Sequence, residues 1–382
     1  KITAIDSRFI ADGGPYCAAS PFVIWRPTVQ CTGPYKVPNV WCDSKVVYTN
    51  NTFCGAMRGF GTPQYNFAIE SFMDMVAFKR GIDPVKFRQK NFLKQDDVTH
   101  TGQKLSGHKV SIAEVVKRTL DEFGWDEKYK KCSRGKAEDG KLYGVGMSCS
   151  YRGVSLGAEG NDFCSAIINI QQDGSVLLEV GISENGQGSK TAMVRLLTSE
   201  LGIDASRVIY LDSDTSSITD GGPTVASRGT LVGGNAVIDA CHRVKEMMTP
   251  VLARLIGKSQ QGYMFTKGRI LNPRTKKEVS FDDAIKACHN ERMYIYALGV
   301  WRGPKVSWDE EKGQGNAYFT YVYGCNAVEL VVDAKSYKVD VIKVAAGHDV
   351  GRTINPEMLK GQIYGGVAMG MGQALSEEII HE

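Results

Sequence analysis

The sequence predicts an α+β fold of mixed sheets and packed helices, arranged in two units. Three observations lead there. The chain has 382 residues, about two to three times the commonest domain length. Apolar residues recur at helical spacing in three segments, while β-branched and aromatic runs broken by turn residues fill two others. A composition of 42% hydrophobic and 23% charged residues supplies a core and carries too little charge for disorder.

The first helix is expected at 64–80, where Ile69, Phe72, Met73, Val76 and Ala77 share one stripe and Gly81 stops it. Asp83 and Pro84 then read as N-cap and first-turn proline of a short helix reaching Asn91. Residues 126–141, DEKYKKCSRGKAEDGK, are charged and almost free of hydrophobes, the pattern of an exposed linker. This divides the chain into units at 1–125 and 142–382. Two strands follow at 165–170 and 175–180, joined by Gln171-Gln172-Asp173-Gly174, a hairpin signature. A helix at 190–201, closed by Gly202, precedes a strand at 208–211. The next helix is expected at 234–248, with Pro250 just past its end. Residues 257–318 carry no assignable pattern. Two strands within 319–346 and a glycine-rich helix at 361–375 complete the prediction.

Charge narrows the function. Lys+Arg number 46 against 42 Asp+Glu, a net +4, and the basic residues are dispersed; nucleic acid and anionic membranes are poor candidates as partners. No apolar run reaches membrane-spanning length and no signal peptide opens the chain. The 10 cysteines form no C-x-x-C pair, so they read as reduced core thiols of a cytoplasmic protein rather than zinc or iron-sulfur ligands.

Gly153-Val154-Ser155-Leu156-Gly157 matches a hydrolase nucleophile elbow, but the polar, glycine-rich residues that follow do not continue as a packed helix. Gly181–Lys190 (GISENGQGSK) resembles a phosphate loop with Gln187 where its lysine is needed, and no G-x-G-x-x-G occurs. What remains is three glycine-rich loops that each open a helix: 184–188, 221–230 and 360–362. Backbone N–H groups at helix starts suit anions, and Gln187 and Gln362 can each offer a donor and an acceptor to a flat heterocycle. Three such loops point to a large polar cofactor with a pyrophosphate.

Residues 54–64, CGAMRGFGTPQ, resemble the RGFG-x-PQ loop of the xanthine dehydrogenase and aldehyde oxidoreductase family of molybdenum hydroxylases. Glu184-Asn185-Gly186-Gln187-Gly188 is similar to that family's E-x-G-Q-G pterin loop, 223–230 to its PT-x-AS segment, and 348–366 to its DVG-x-x-(I/L)NP stretch ending in GQ-x-x-GG. Tyr35-Lys36-Val37-Pro38 is similar to its Y-(R/K)-(I/V)-P turn. The order agrees along almost the whole chain. The resemblance implies the C-terminal part of a first molybdopterin-binding domain at 1–125 and a second, C-terminally incomplete, at 142–382.

It further implies a molybdenum–molybdopterin cofactor, in the cytosine dinucleotide form, that oxidises a C–H bond with water as oxygen source. Electrons would pass to [2Fe-2S] clusters and FAD on partner subunits. Neither the family's G-G-x-F-G-x-K loop nor the G-x-G-E-P segment bearing its general-base glutamate occurs here, so a second molybdopterin-binding chain or further segments are expected to carry them. By the resemblance, Arg58 and Ala226 neighbour the metal without ligating it, and Arg26, Phe60 and Leu156 contact a small heterocyclic substrate. Arg26 and Arg58 would act in catalysis. Gly59, Gly186, Gln187, Gly188, Ala226, Ser227, Arg228, Gly229, Thr230 and Gln362 would hold the cofactor. Gly59 stands where carbon monoxide dehydrogenases of the family carry a cysteine, which excludes that branch. Three readings stand: oxidation of a purine- or pyridine-type ring, oxidation of an aldehyde, and a non-catalytic subunit that scaffolds the cofactor.

Overall fold

The computed structural model describes residues 1–132, 140–218 and 220–380. The chain forms two compact units, the first from residues 1–159, 306–351 and 363–382, the second from 160–305 and 352–362.

The first unit opens with a parallel pair, β1 (Ala4–Asp12) and β2 (Asn39–Val47), with helix α1 (Ser20–Val29) between them. Helices α2 (Thr62–Lys79), α3 (Pro84–Asn91), α4 (Ile112–Phe123) and α5 (Trp125–Cys132) follow, then strand β3 (Lys141–Gly153). The Asp83 carboxylate accepts from the Lys86 N–H, so the expected cap is present. The face of α2 differs from the predicted stripe. Tyr65, Ile69, Met73 and Ala77 are buried, a strict four-residue spacing, whereas Phe72 is exposed and Val76 half-buried. A buried network fixes these helices. The Glu70 carboxylate accepts from the Tyr35 hydroxyl at 2.5 Å, Arg88 Nε at 2.9 Å and the Cys149 N–H at 2.8 Å.

Both ends of the stretch expected as a linker are regular structure. Its first part is helix α5, with Trp125 buried against Phe123; 133–139 lie outside the described residues, and Lys141 already begins β3. The division at 126–141 is therefore corrected, because β3 pairs along its full length with a strand far down the chain and stays in the first unit.

The second unit contains β4 (Phe163–Ile170), β5 (Val176–Val180), α6 (Ser189–Leu201), β6 (Val208–Tyr210) and α7 (Gly229–Ile256). Strands β4 and β5 make the expected hairpin, and β5 pairs in parallel with β6 through α6. Helix α7 starts earlier and ends later than expected, with Pro250 inside it. An internal proline costs about 3 kcal/mol. The helix continues because Val251, Leu252 and Ile256 beyond it are buried, each contributing about 1.5–3 kcal/mol.

Residues 257–318, left unassigned above, hold β7 (Met264–Thr266), β8 (Arg269–Leu271), β9 (Glu278–Ser280), α8 (Phe281–Asn290), β10 (Ile295–Arg302), β11 (Ser307–Asp309) and β12 (Gln314–Asn316). Strand β10 completes a sheet in the order β10-β4-β5-β6, covered by α7. Strands β13 (Tyr321–Asp333) and β14 (Val339–Asp349) return to the first unit in the order β14-β13-β3, with α4 packed on them. Helix α9 (Pro356–Leu375) begins before the predicted 361 and buries none of its residues. Among the described residues, no helix is long and apolar enough to cross a membrane.

Candidate functional site

The RGFG loop is built by backbone conformation. Gly59 (φ +101), Phe60 (φ +53) and Gly61 (φ +80) are three consecutive left-handed residues. A Cβ on Gly59 would lie 2.4 Å from Pro63, and one on Gly61 would lie 2.3 Å from the Val23 carbonyl, so only glycine fits either place. Phe60 between them is strained, which is common at ligand-contacting positions. Arg152 at the end of β3 pins the loop, its Nη1 donating to the Gly59 carbonyl and, at 2.9 Å, to Thr62 Oγ1. Arg58 is exposed, with Nη1 3.2 Å from where a Gly365 Cβ would stand.

Arg26, on α1, is 2% exposed. Its guanidinium lies 5.5 Å from the Phe60 ring centroid and 5.6 Å from that of Tyr318. Nη2 donates to the Ser155 carbonyl at 3.2 Å and pairs with the Glu159 carboxylate. The expected neighbours Arg26 and Phe60 are thus together, and half-buried Leu156 follows Ser155 directly. Glu159 and Tyr318 were missed, since nothing local in sequence marks them. Burial raises the Glu159 carboxyl above its usual range, with Arg26 opposing. Burial, then repulsion from Arg26, brings Arg152 down to about 10.

Ser155, despite a left-handed φ of +78, is fully buried and leads into a three-residue 3-10 turn, Gly157–Glu159. A nucleophile elbow needs an exposed hydroxyl and a following helix; neither is here.

In the second unit, the loop before α6 corrects an expectation. The Glu184 carboxylate accepts from the N–H groups of Gly186 and Gly188, each at 2.9 Å, from Ser189 Oγ at 2.9 Å and from the Lys190 N–H at 3.0 Å. These bonds hold its carboxyl below the usual range even against some burial. The anion expected at this helix start is therefore the protein's own. Gln187 is also committed: its oxygen accepts from the Asn185 N–H and its nitrogen donates to the Ser183 carbonyl. Each amide atom keeps one further hydrogen-bonding position. A glutamate ahead of a G-x-G helix start was the overlooked signal.

The 221–230 loop is tied to this one, Ser183 N–H donating to Thr224 Oγ1 and Asn185 Nδ2 to the Thr224 carbonyl. Arg228 is fully buried. It pairs with Asp162 at 2.8 Å and donates to the carbonyls of Gly221, Pro223 and Phe163. Its side chain faces the loop's interior, which corrects its expected cofactor contact. Ala226 (φ +56) and Ser227 (φ +57) are consecutive left-handed residues leading into α7. Among the described residues, the N-cap residue Arg228 makes no side-chain cap to α7, and the N–H groups of Gly229 and Thr230 are available to an anion, unlike those of α6. Met358, near the start of α9, packs against Gly188. Gln362 lies in the 352–362 segment of the same unit.

Two family models, both described as "Molybdopterin cofactor-binding domain", match residues 1–92 and 118–382. The chain belongs to this family. It is 28% identical to xanthine dehydrogenase/oxidase of Gallus gallus, over 99% of this chain and 26% of that protein. It is 30% identical to the putative xanthine dehydrogenase molybdenum-binding subunit of Escherichia coli, over 88% of this chain and 44% of that one. The structure of the aldehyde oxidoreductase from Desulfovibrio desulfuricans superposes with a TM-score of 0.83 at 28% identity, covering 99% of this chain and 38% of that one. Quinoline 2-oxidoreductase from Pseudomonas putida shares the fold at a TM-score of 0.87 and 24% identity, covering all of this chain and 49% of that one. The chain thus spans between a quarter and a half of the relatives it matches. The expected family, the α+β architecture and the molybdenum–molybdopterin cofactor are borne out.

The residues fit that cofactor. The uncapped start of α7, with Ala226, Ser227, Gly229 and Thr230, offers N–H donors to a phosphate, and the donor and acceptor that Gln187 has left suit a pterin edge.

Proposed function

We propose that the chain is the molybdenum-pterin-binding part of a hydroxylase that oxidises a C–H bond of an N-heterocycle of purine or pyridine type. When bound, the cofactor supplies the two-electron oxidation with water as oxygen source. Ala226, Ser227, Gly229, Thr230, Gln187 and Gln362 hold it, in its cytosine dinucleotide form. Arg58, on the exposed RGFG loop, neighbours the metal, as does Ala226. A second molybdopterin-binding chain or further segments contribute the general base. Electrons leave to [2Fe-2S] clusters and FAD on partner subunits in the cytoplasm.

One observation carries the choice of substrate: a buried guanidinium held against an aromatic ring, Arg26 at 5.5 Å from Phe60. An aromatic face orients a flat ring, and a buried cation stabilises negative charge that builds on the ring during attack. Aldehydes need neither. Arg26→Ala is expected to raise the barrier for ring substrates by about 2.7–4 kcal/mol, the loss of one such donor, and to leave aldehyde turnover nearly unchanged. Equal losses with both substrate classes would refute this assignment. The second reading, aldehyde oxidation, is favoured by the likeness to the Desulfovibrio desulfuricans aldehyde oxidoreductase; simple aldehydes proving far better substrates than rings would establish it.

A further inference from the structure

Two cysteines that the proposed reaction does not use meet where α1 approaches β2. Cys31 lies just past the end of α1 and is buried, whereas Cys42 lies on β2 and is half-buried. Both are free, and the Cys31 thiol donates a hydrogen bond to the Cys42 sulfur. Thr28 Oγ1 and Ser44 Oγ, 2.6 Å apart, join the same two elements beside the pair. Sulfurs in hydrogen-bond contact are close to the separation from which a disulfide closes with little backbone movement.

The surroundings give the two sulfurs different roles. His100 Nε2 lies 3.5 Å from Cys31 Sγ, and Ser44 Oγ lies 3.7 Å from Cys42 Sγ. Burial brings His100 down to about 4, so its ring is neutral and adds no charge near neutral pH. The bond to Cys42, then burial, pushes the Cys31 thiol far up, and it keeps its proton. The same bond brings Cys42 down to about 7, with Ser44 helping and burial and Asp43 opposing. Cys42 is therefore the nucleophile of the pair, and it is the one that solvent reaches. Cys149 and Cys325 offer a contrast: they stand opposite each other on β3 and β13 and also hydrogen-bond, but both are fully buried. Of the two pairs, only Cys31 and Cys42 combine contact with access.

We propose that Cys31 and Cys42 form a reversible redox pair, in which a hydroperoxide oxidises Cys42 and Cys31 converts the product to a disulfide that staples the end of α1 to β2. The Cys42 thiolate takes one peroxide oxygen as the O–O bond breaks, so sulfur loses two electrons and becomes a sulfenic acid. The other oxygen leaves with a proton as water or an alcohol. Cys31 sulfur then attacks Cys42 sulfur; the S–S bond forms, the S–O bond breaks, and the hydroxyl departs as water with the Cys31 proton. A dithiol reductant returns both thiols by exchange. The bridge would close the short 31–42 segment, where Glu70 already holds Tyr35, and would fix the helix that carries Arg26.

The test exposes the purified native assembly to hydrogen peroxide at about pH 8, blocks the remaining thiols with an alkylating agent and maps the peptides by mass spectrometry. The readout does not involve turnover. In the unaltered assembly Cys31 and Cys42 should both escape alkylation and appear as one joined peptide, about 2 Da lighter than the two thiol peptides together, and dithiothreitol should restore both. Cys149 and Cys325 should stay alkylatable once the protein is unfolded. Cys31→Ser should still oxidise at Cys42 but stop at the sulfenic acid, captured by a cyclic 1,3-diketone, with no joined peptide. Cys42→Ser should leave Cys31 reduced. Should Cys31→Ser fail to fold, the unaltered assembly and Cys42→Ser decide. An unaltered assembly that forms no Cys31–Cys42 peptide while other cysteines oxidise overturns the proposal, as does Cys31 oxidising equally fast in Cys42→Ser.

Discussion

Removing the Glu184 carboxylate should unseat the loop that opens α6. Four donors converge on it, three backbone N–H groups and one hydroxyl, at 2.9–3.0 Å. Hydrogen bonds to a charged group contribute about 1.5–3 kcal/mol each in buried settings, but Glu184 is half-exposed and water replaces part of what is lost. A single N-cap is worth about 0.5–2 kcal/mol, and a carboxylate at a helix start adds about 0.3–1 kcal/mol. Glu184→Ala should therefore cost about 2–3 kcal/mol, and Glu184→Gln, with one acceptor oxygen instead of two, about half of that. In thermal unfolding this amounts to a fall of about 5–10 °C for a unit of this size. The sign with pH follows from the lowered carboxyl: the contribution is complete above the ordinary glutamate range and is lost as pH falls through the lowered folded value. The difference between unaltered protein and Glu184→Gln should shrink on acidification. A Glu184→Ala protein that melts with the unaltered one at neutral pH would refute the reasoning, and these N–H groups would then be free for a ligand's phosphate.

Glu70→Leu should destabilise the first unit by about 3 kcal/mol, because it removes the buried one of the two carboxylates paired with Arg88 and leaves it only the half-exposed Asp74, and the double variant with Arg88→Met should recover most of that loss in urea denaturation. Arg228→Met breaks the four contacts that shape the 221–230 loop. It should lower the molybdenum content of the assembly measured by elemental analysis, more than Ser227→Ala, whose side chain is exposed.

Sequence reveals what is decided locally. The RGFG loop was legible through its resemblance to a family motif, and Gly59 and Gly61 each have a conformation and a near neighbour that forbid other residues. Asp83 with Pro84, the hairpin at Gly174 and the stop at Gly202 are likewise settled within a few residues. Contacts across the chain were not legible. Glu159 meets Arg26, and Tyr318 joins them, only after the chain has folded. The motif that named 223–230 could not say that Arg228 turns inward, because Asp162 is supplied by another segment. Pro250 marked an end only as long as the packing of Val251 and Leu252 stayed unseen. Three-residue strands such as β8 and β9 are too short for alternation to show. The charged residues of α5 masked a helix anchored by one buried tryptophan.

The most direct test of the central claim is the molybdenum and pterin content of the native assembly purified through this chain. Elemental analysis and the fluorescence of the oxidised pterin should both report the cofactor in proportion to the chain, and both should fall together in Arg228→Met. A folded, intact assembly that contains neither molybdenum nor pterin would contradict the account.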